Sequence, residues 1–219
     1  MTYEEIVRTR RSVRGFLPRQ VPEPIIRECL ELAQWTPSNC NVQPWRITVA
    51  SGEARDRLAR SLVDAFYAGD FDSPDHPVEV FHDEYRSWQI SCAKELYGHM
   101  GVARGDMPAR MAATARNFAF FDAPHMAVVC MDKKFGVGTA LTVGMWMQTF
   151  LLALTDRGVQ SCAMAAMRSF PDRIRRELEI PEHHAVLCGI AFGYEDADVP
   201  ANRTRQPRGP LEDHVAWRR

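Results

Sequence analysis

The segment from about 138 to 156, which includes GMWMQTFLLAL, is apolar on nearly all sides and stops before Gly158. A helix that is apolar all round must be covered on its whole circumference, so it belongs at the centre of a protein or in a subunit interface. The continuous apolar stretch is short for a bilayer and carries Gln148, which favours a core helix over a membrane span. This segment therefore requires a fold whose layers pack around a central helix.

Shorter patterned segments predict the elements around that helix. Thr2 and Glu5 resemble a capping box and predict a helix at the N-terminus. Prolines at 22–24 begin the next helix, Ser51 is predicted to cap a third, and Pro171 starts another. Strands are predicted at 46–51, 125–131, 159–164 and 185–193. These elements indicate an α+β core.

Residues 64–120 do not continue this pattern of strands and helices. Within them lies a stripe with helical spacing that contains Phe81, Tyr85, Trp88, Cys92 and Leu96, and we assign Trp88 on this stripe to packing. A second helix is predicted around 107–119. We interpret 64–120 as a helical excursion, either a lid over a ligand or a helical pair packed on the core. No internal repeat is evident, so residues 1–219 are expected to form a single domain.

The charge balance argues against several partners. Lys and Arg number 27 and Asp and Glu 28, a net charge of -1, which provides no general field for nucleic acid or an anionic membrane. The N-terminus has no apolar run typical of a signal peptide, so we expect a cytoplasmic protein. The six cysteines have no metal-ligand spacing and are expected to be free thiols, mostly buried, in a reducing compartment.

Several familiar sites do not match the sequence. GVGTAL at 136–141 fails the dinucleotide fingerprint because Leu141 stands at its third glycine. His183 and His184 are adjacent, and adjacent histidines rarely converge on one ion, so no metal site is expected. No Ser/His/Asp or Cys/His order indicates a nucleophile.

Three polar clusters remain, namely TRRSVR at 9–14, PSNCNVQPW at 37–45 and RTRQPR at 203–208. Arginines suit a phosphate because the planar guanidinium donates two parallel hydrogen bonds. The amides of the second cluster donate and accept, which suits the edge of a heterocycle. Cys40 lies in this polar loop, where we interpret it as a neighbour of a ligand rather than a reactive thiol.

With these clusters the sequence resembles the nitroreductase family of FMN flavoproteins over nearly its whole length. The matching segments are RRSVRGFLPRQVP at 10–22, PSNCNVQPW at 37–45, FDAPHMAVV at 121–129, GVQSC at 158–162 and GIAFGY with the basic tail at 189–215. SNCN, MDKKFGVGTAL and PANR make it most similar to the nitrobenzoate and dinitroaniline reductase-like branch.

The resemblance implies an α+β homodimer with a mixed, mostly antiparallel sheet flanked by helices and two FMN molecules in the interface. The cofactor-binding residues that it implies are Arg10, Arg11, Ser12, Arg14, Pro37, Ser38, Asn39, Asn41, Gln148, Met164, Ala165, Ala166, Arg205 and Arg208. The 10–14 arginines and Arg208 would hold the phosphate, ribityl and pyrimidine ends. A backbone N–H near Ala165 would face flavin N5, where many relatives have an acidic residue and glycine.

The resemblance also implies a reaction that needs no catalytic side chain. NAD(P)H would deliver hydride to the flavin and leave, and a nitroaromatic, quinone or similar flat acceptor would then take the electrons in a ping-pong cycle. Tyr97 and Cys40 are the expected acceptor contacts. The same site also fits enone reduction, reductive dehalogenation, flavin cleavage or flavin binding without turnover.

Overall fold

The computed structural model describes residues 1–218, and its centre is one antiparallel sheet with the strand order β1-β2-β4-β3. The strands are β1 (Arg46–Ser51), β2 (His125–Asp132), β3 (Gln160–Met164) and β4 (His184–Gly193). All four lie within a residue of the predicted positions. An antiparallel sheet agrees with the absence of a dinucleotide fingerprint, which belongs to parallel sheets.

Seven α-helices surround the sheet. They are α1 (Tyr3–Thr9), α2 (Glu23–Ala33), α3 (Gly52–Ala68), α4 (Asp83–His99), α5 (Met107–Ala115), α6 (Val137–Asp156) and α7 (Pro171–Leu178). The capping box of α1 is confirmed, because Glu5 N–H donates to Thr2 Oγ1 at 3.3 Å and Thr2 N–H donates to the Glu5 carboxylate at 2.7 Å. Helix α5 ends four residues earlier than predicted.

The predicted cap of α3 is wrong in its chemistry. Ser51 occupies the N-cap position, but its side chain makes no capping hydrogen bond. Its hydroxyl instead lies 2.5 Å from Nδ1 of buried His125, whose Nε2 accepts the Val21 N–H at 2.9 Å. Since Nε2 accepts, the proton is on Nδ1 and points to Ser51. Burial lowers the pKa of His125, which favours this neutral form.

The sheet separates two apolar layers. Along β2, Met126, Val128 and Cys130 face a cluster that includes residues of α3 and α7. The alternate residues Ala127 and Val129 face a second cluster built with α2 and α6. A strand buried on both faces loses the alternation of polar and apolar residues, and this explains the continuous apolar run of HMAVVCM.

Helix α6 covers one face of the sheet but is not itself fully covered in the described chain. Trp146, Phe150 and Leu154 are buried in the core, whereas Val137 is 89% and Leu141 is 72% exposed. With 20 residues the helix is long and apolar enough, by length and composition alone, to cross a membrane. The argument from length against a span is therefore wrong, although the buried face of α6 is what a core helix has.

The N-terminal segment extends the sheet beyond β3. Ser12 forms a parallel bridge with Ser161, and Val13 N–H donates to Ser161 O at 3.0 Å. The sheet is thereby mixed and mostly antiparallel, as expected. Gly15 is needed here because a Cβ at this position would lie 2.5 Å from the Val199 side chain.

The excursion differs from its prediction. No residue of α4 is buried within residues 1–218, and Phe81, Tyr85 and Trp88 are exposed. The packing role predicted for Trp88 is therefore wrong in the described chain, because no residue of α4 belongs to either apolar layer. All six cysteines are free thiols. Cys29, Cys130 and Cys162 are buried, but Cys92 and Cys188 are only half-buried and Cys40 is exposed.

Candidate cofactor site

Arg10 and Arg208, from opposite ends of the chain, lie near β3 and close enough to act on each other electrostatically. Burial first, and the nearby Arg208 guanidinium second, lower the pKa of Arg10. No carboxylate pairs with either arginine in the part of the chain that the structure describes. Arg208 Nη1 donates only to the carbonyls of Gln206 and Pro207, at 2.9 and 3.2 Å. Two like charges held together without a counter-ion form a site for an anion.

Asn202 holds the basic segment in place, and the sequence analysis missed its role. Its side-chain oxygen accepts the Arg14 N–H at 2.6 Å, and its amide donates to Gly15 O and to Asp196 O, both at 2.8 Å. Asn202 is buried and all three bonds are to backbone. A buried, fully bonded amide fixes one geometry, so Asn202 fastens the C-terminal tail to residues 14–15.

Two of the predicted cofactor residues bind other parts of the protein. The Arg11 guanidinium forms an ion pair with Glu195, which follows β4. Arg205 donates to the carbonyls of Asn202 and Thr204, at 2.7 and 3.0 Å. Their side chains therefore shape the segments on either side of the Arg10–Arg208 pair.

Arg14 and Tyr97 line the same small cleft, with Arg116, Phe121 and Ala201 among its other walls. Arg116 Nη2 donates to Arg14 O at 3.2 Å and pairs with Asp122 at 3.0 Å. The central carbon of the Arg110 guanidinium lies 5.3 Å from the centre of the Tyr97 ring, within the distance of a cation–π contact. The structure thus places the predicted acceptor contact Tyr97 next to the basic segment, as a half-buried side chain.

The loop with Pro37, Ser38, Asn39 and Asn41 lies on the surface, beside α6. Thr36 Oγ1 donates to Thr149 Oγ1 at 3.2 Å, which brings the loop near exposed Gln148. Cys40, Asn41 and Gln43 have positive φ values of 48°, 56° and 45°. Non-glycine residues adopt this region at some cost, and Gln43 N–H donating to Ser38 Oγ at 3.1 Å helps to hold it. Among residues 1–218 no hydrogen bond or ion pair joins this loop to the arginine cluster.

The end of β3 supplies the remaining predicted residues. Met164 is buried, and the chain then turns through Ala165, which is exposed, and half-buried Ala166. Nearby, the buried Ser161 hydroxyl has no hydrogen-bond partner in the described chain. Burial raises the pKa of Cys162, although Arg14, Ser12 and Arg10 act against this rise. Cys162 is therefore a neutral thiol beneath the cluster and not a nucleophile.

No group of three His, Cys, Asp or Glu residues in residues 1–218 could hold a metal ion. A groove of about 580 Å³ lies between α2 and β1, over Val49 and His125, but none of the predicted site residues lines it. The first and third polar clusters of the sequence therefore come together around Arg10 and Arg208, whereas the loop at 37–45 has no hydrogen bond or ion pair to them in the described chain.

The fold and the site together define a class of protein. Its members are α+β proteins with one antiparallel sheet, and an anion site assembled from both chain ends lies at the edge of that sheet. The model of the nitroreductase family matches residues 7–194, and the chain belongs to that family. It is 35% identical to nitroreductase NfnB of Mycolicibacterium smegmatis over 99% of this chain and 92% of that protein.

A second relative and the solved structure of NfnB agree with this assignment. The chain is 34% identical to a 4-nitrobenzoate reductase of a Nocardioides species, over 98% of this chain and 89% of the relative. The crystal structure of the FMN-dependent nitroreductase NfnB from Mycobacterium smegmatis in complex with NADPH superposes with a TM-score of 0.95 and 34% identity. That superposition covers 99% of this chain and 97% of the other.

Proposed function

We propose that this protein is an FMN-dependent oxidoreductase that takes electrons from NADPH or NADH and reduces nitroaromatic compounds or similar flat acceptors. Family membership and the names of its relatives support the reaction class. The observation that carries the proposal is that Arg208, which acts electrostatically on Arg10, bonds only to neighbouring carbonyls, and that the buried Ser161 hydroxyl nearby has no partner in the described chain. A phosphomonoester, with a charge of about −1.5 to −2 at neutral pH, is the counter-ion that this pair fits.

Different residues are assigned to different parts of FMN. We assign the phosphate to Arg10, Ser12 and Arg208, with the Ser161 hydroxyl as a further donor, and the polar end of the ring to Arg14. Arg11 and Arg205 support this arrangement through Glu195 and the tail carbonyls. Met164, Ala165 and Ala166 would lie along the ring. The small, exposed methyl of Ala165 leaves the backbone accessible.

Bound FMN supplies the redox chemistry by accepting hydride and passing electrons to the acceptor. The chain binds and orients the two substrates. Arg14 places a fixed positive charge beside the site, and this favours a reduced, more negative cofactor. Tyr97 and Arg116 form walls of the adjoining cleft. No acid, base or nucleophile of the chain is needed, in agreement with the neutral Cys162 thiol.

The site is proposed to be completed by a second copy of the chain. Exposed Trp35 and Val42 flank the loop of Ser38 and Asn41, and the exposed side of α6 adjoins it. Such an apolar surface supports a homodimer, with the loop reaching the partner's flavin. Sedimentation at nanomolar concentration would show a dimer, and a stable FMN-loaded monomer would overturn this proposal. The free thiols support a cytoplasmic location.

The function is tested by anaerobic titration of the purified, FMN-loaded protein. We expect NADPH to bleach the yellow colour and a nitroarene to restore it, with NADH run in parallel to identify the preferred donor. Bleaching that an enone or a haloaromatic reverses, and a nitroarene does not, would assign the alternative chemistries. A protein that binds FMN but is bleached by neither nucleotide would be a flavin-binding protein without turnover.

Replacing Tyr97 tests which side chain contacts the acceptor. In Tyr97→Ala we expect reoxidation by a nitroarene to slow about fivefold, since an aromatic contact contributes about 1 kcal/mol. Flavin reduction by NADPH should stay near normal. Stopped-flow measurement of the two half-reactions separates these effects. Tyr85→Ala is the matched control, because Tyr85 lies on the same helix and is exposed. Equal slowing in both halves would make Tyr97 a packing residue.

A further inference from the structure

Helix α4 depends on something other than the core for its order. It has 17 residues, and within residues 1–218 none of them is buried. All residues from 81 to 91 are exposed. A helix of this length is marginal in water without tertiary contacts, so the few attachments of α4 decide whether it is formed.

Those attachments are at its C-terminal end, and they lead to the C-terminal tail. The Glu95 carboxylate accepts the Arg205 N–H at 2.8 Å with Oε1 and the Gln206 side-chain amide with Oε2. The next two residues, Leu96 and Tyr97, line the cleft that Ala201 of the tail also lines. Arg205 and Gln206 come only three and two residues before Arg208, so Glu95 holds the part of the tail that carries the phosphate arginine.

We propose that Glu95 is a positioning residue that couples FMN binding to the order of α4 and its acceptor cleft. This inference rests on the proposed role of Arg208. When the cofactor phosphate binds Arg208, the tail from 204 to 208 is held, and its two donors then hold the Glu95 carboxylate. By thermodynamic reciprocity, α4 in turn stabilises the tail conformation that binds the cofactor.

Electrostatic effects alone predict the opposite change in FMN affinity when Glu95 is removed. Glu95 is a negative charge close to an anion site, so its removal should strengthen FMN binding if only charge mattered. The hydrogen bonds of Glu95 go instead to a backbone N–H and a neutral amide. Coupling therefore predicts that Glu95→Ala weakens FMN binding. Glu95→Gln should restore most of it, because a glutamine accepts from Arg205 N–H and its amide can pair with Gln206.

The experiment measures two quantities in the full-length protein. The FMN dissociation constant is taken from flavin fluorescence, and amide exchange of 83–99 is followed with and without saturating FMN. In the unaltered protein we expect FMN to slow exchange in α4. In Glu95→Ala that protection should be lost and FMN should bind about fivefold or more weakly, at the lower end of typical couplings. Glu84→Ala, which removes an exposed carboxylate from the same helix, should behave like the unaltered protein.

Equal protection of α4 by FMN in Glu95→Ala and in the unaltered protein would overturn the proposal. Loss of protection with an unchanged dissociation constant would also overturn it, because reciprocity requires both. Arg208→Ala, measured in the same series, separates this from the proposed function. If Arg208→Ala leaves FMN affinity unchanged, the phosphate assignment fails. If it weakens FMN binding while Glu95→Ala changes neither quantity, only the coupling fails.

Discussion

Arg175→Met is expected to lower the free energy of unfolding by about 3–5 kcal/mol, the usual consequence of breaking a buried ion pair. The Arg175 side chain is 2% exposed and that of its partner Asp75 is 6% exposed, with 2.7 Å between Nη1 and the carboxylate. Methionine fills the volume of the arginine stem but leaves the Asp75 charge with only Lys133, at 3.2 Å, and the Val186 N–H, at 2.8 Å. An incompletely compensated buried charge is costly.

The measurement is urea unfolding at fixed protein concentration and saturating FMN, since ligand and association both shift apparent stability. Arg176→Met is the matched control, because Arg176 is the exposed neighbour. The double variant Asp75→Leu with Arg175→Met should recover much of the loss, since it leaves no buried charge unpaired; Lys133, which also loses its partner Asp75, has a side chain that is 40% exposed. A loss below about 1 kcal/mol in Arg175→Met would show that Lys133 and the backbone suffice to hold Asp75.

The effect should depend on pH in a defined direction. Burial acts to raise the pKa of Asp75, but hydrogen bonds from Arg175 and the Val186 N–H outweigh it, and the pKa lies below its ordinary value. A carboxylate with a depressed folded-state pKa contributes stability above its unfolded pKa of about 4 and loses it as the pH falls further. The difference between Arg175→Met and the unaltered protein should therefore shrink in acid.

The Asp75–Arg175 pair is the buried one of three ion pairs that hold the first residues of the excursion. Asp70 pairs with Arg173, and Glu79 with Arg168 at 2.6 Å. The hydrogen bond from Arg168, foremost, lowers the pKa of Glu79 to about 2, so this pair stays charged at neutral pH. Residues 70–79 are thereby fixed along the segment that follows the Ala165 turn. Beyond Glu79 the chain is exposed as far as residue 91, so α4 is held at its C-terminal end, where Glu95 accepts from the tail.

The sheet and most helices could be predicted because local sequence and burial agree. β2 is apolar on both faces, and Thr2 with Glu5 forms a reciprocal cap that needs no tertiary partner. The errors arose where tertiary contacts override local patterns. Ser51 turns to His125 instead of capping α3. Trp88 shows helical spacing, but spacing does not reveal whether a core lies opposite the helix.

The kind of site could be predicted from the sequence, but the contacts between its residues could not. Arginine clusters and amides indicate a phosphate and a heterocycle, and the family resemblance aligns them. Which arginine faces the anion depends on long-range partners. Arg11 is separated by 184 positions from its partner Glu195, and Asn202 lies 188 positions from the N–H of Arg14 that it accepts. Nothing local in the sequence marks Asn202 or Glu95, since each acts through the backbone of a distant segment.

Arg208→Ala is expected to weaken FMN binding at least tenfold, and Arg10→Ala by a similar factor. Losing one charge-assisted hydrogen bond to the phosphate costs about 1.5–3 kcal/mol, which corresponds to roughly tenfold to more than a hundredfold in affinity. Arg208 is exposed and bonds only to neighbouring carbonyls, so its removal should leave the fold intact. For Arg10, relief of the repulsion with Arg208 offsets part of the loss.

Fluorescence titration of the apoprotein with FMN gives the dissociation constants, and thermal unfolding of the same apoprotein checks the fold. Arg203→Ala is the control for net charge, because it removes an exposed arginine from the same tail. If Arg208→Ala and Arg203→Ala weaken FMN binding equally, Arg208 acts through a general field and not through contact with the phosphate. If neither changes the affinity, Arg208 is not part of the cofactor site.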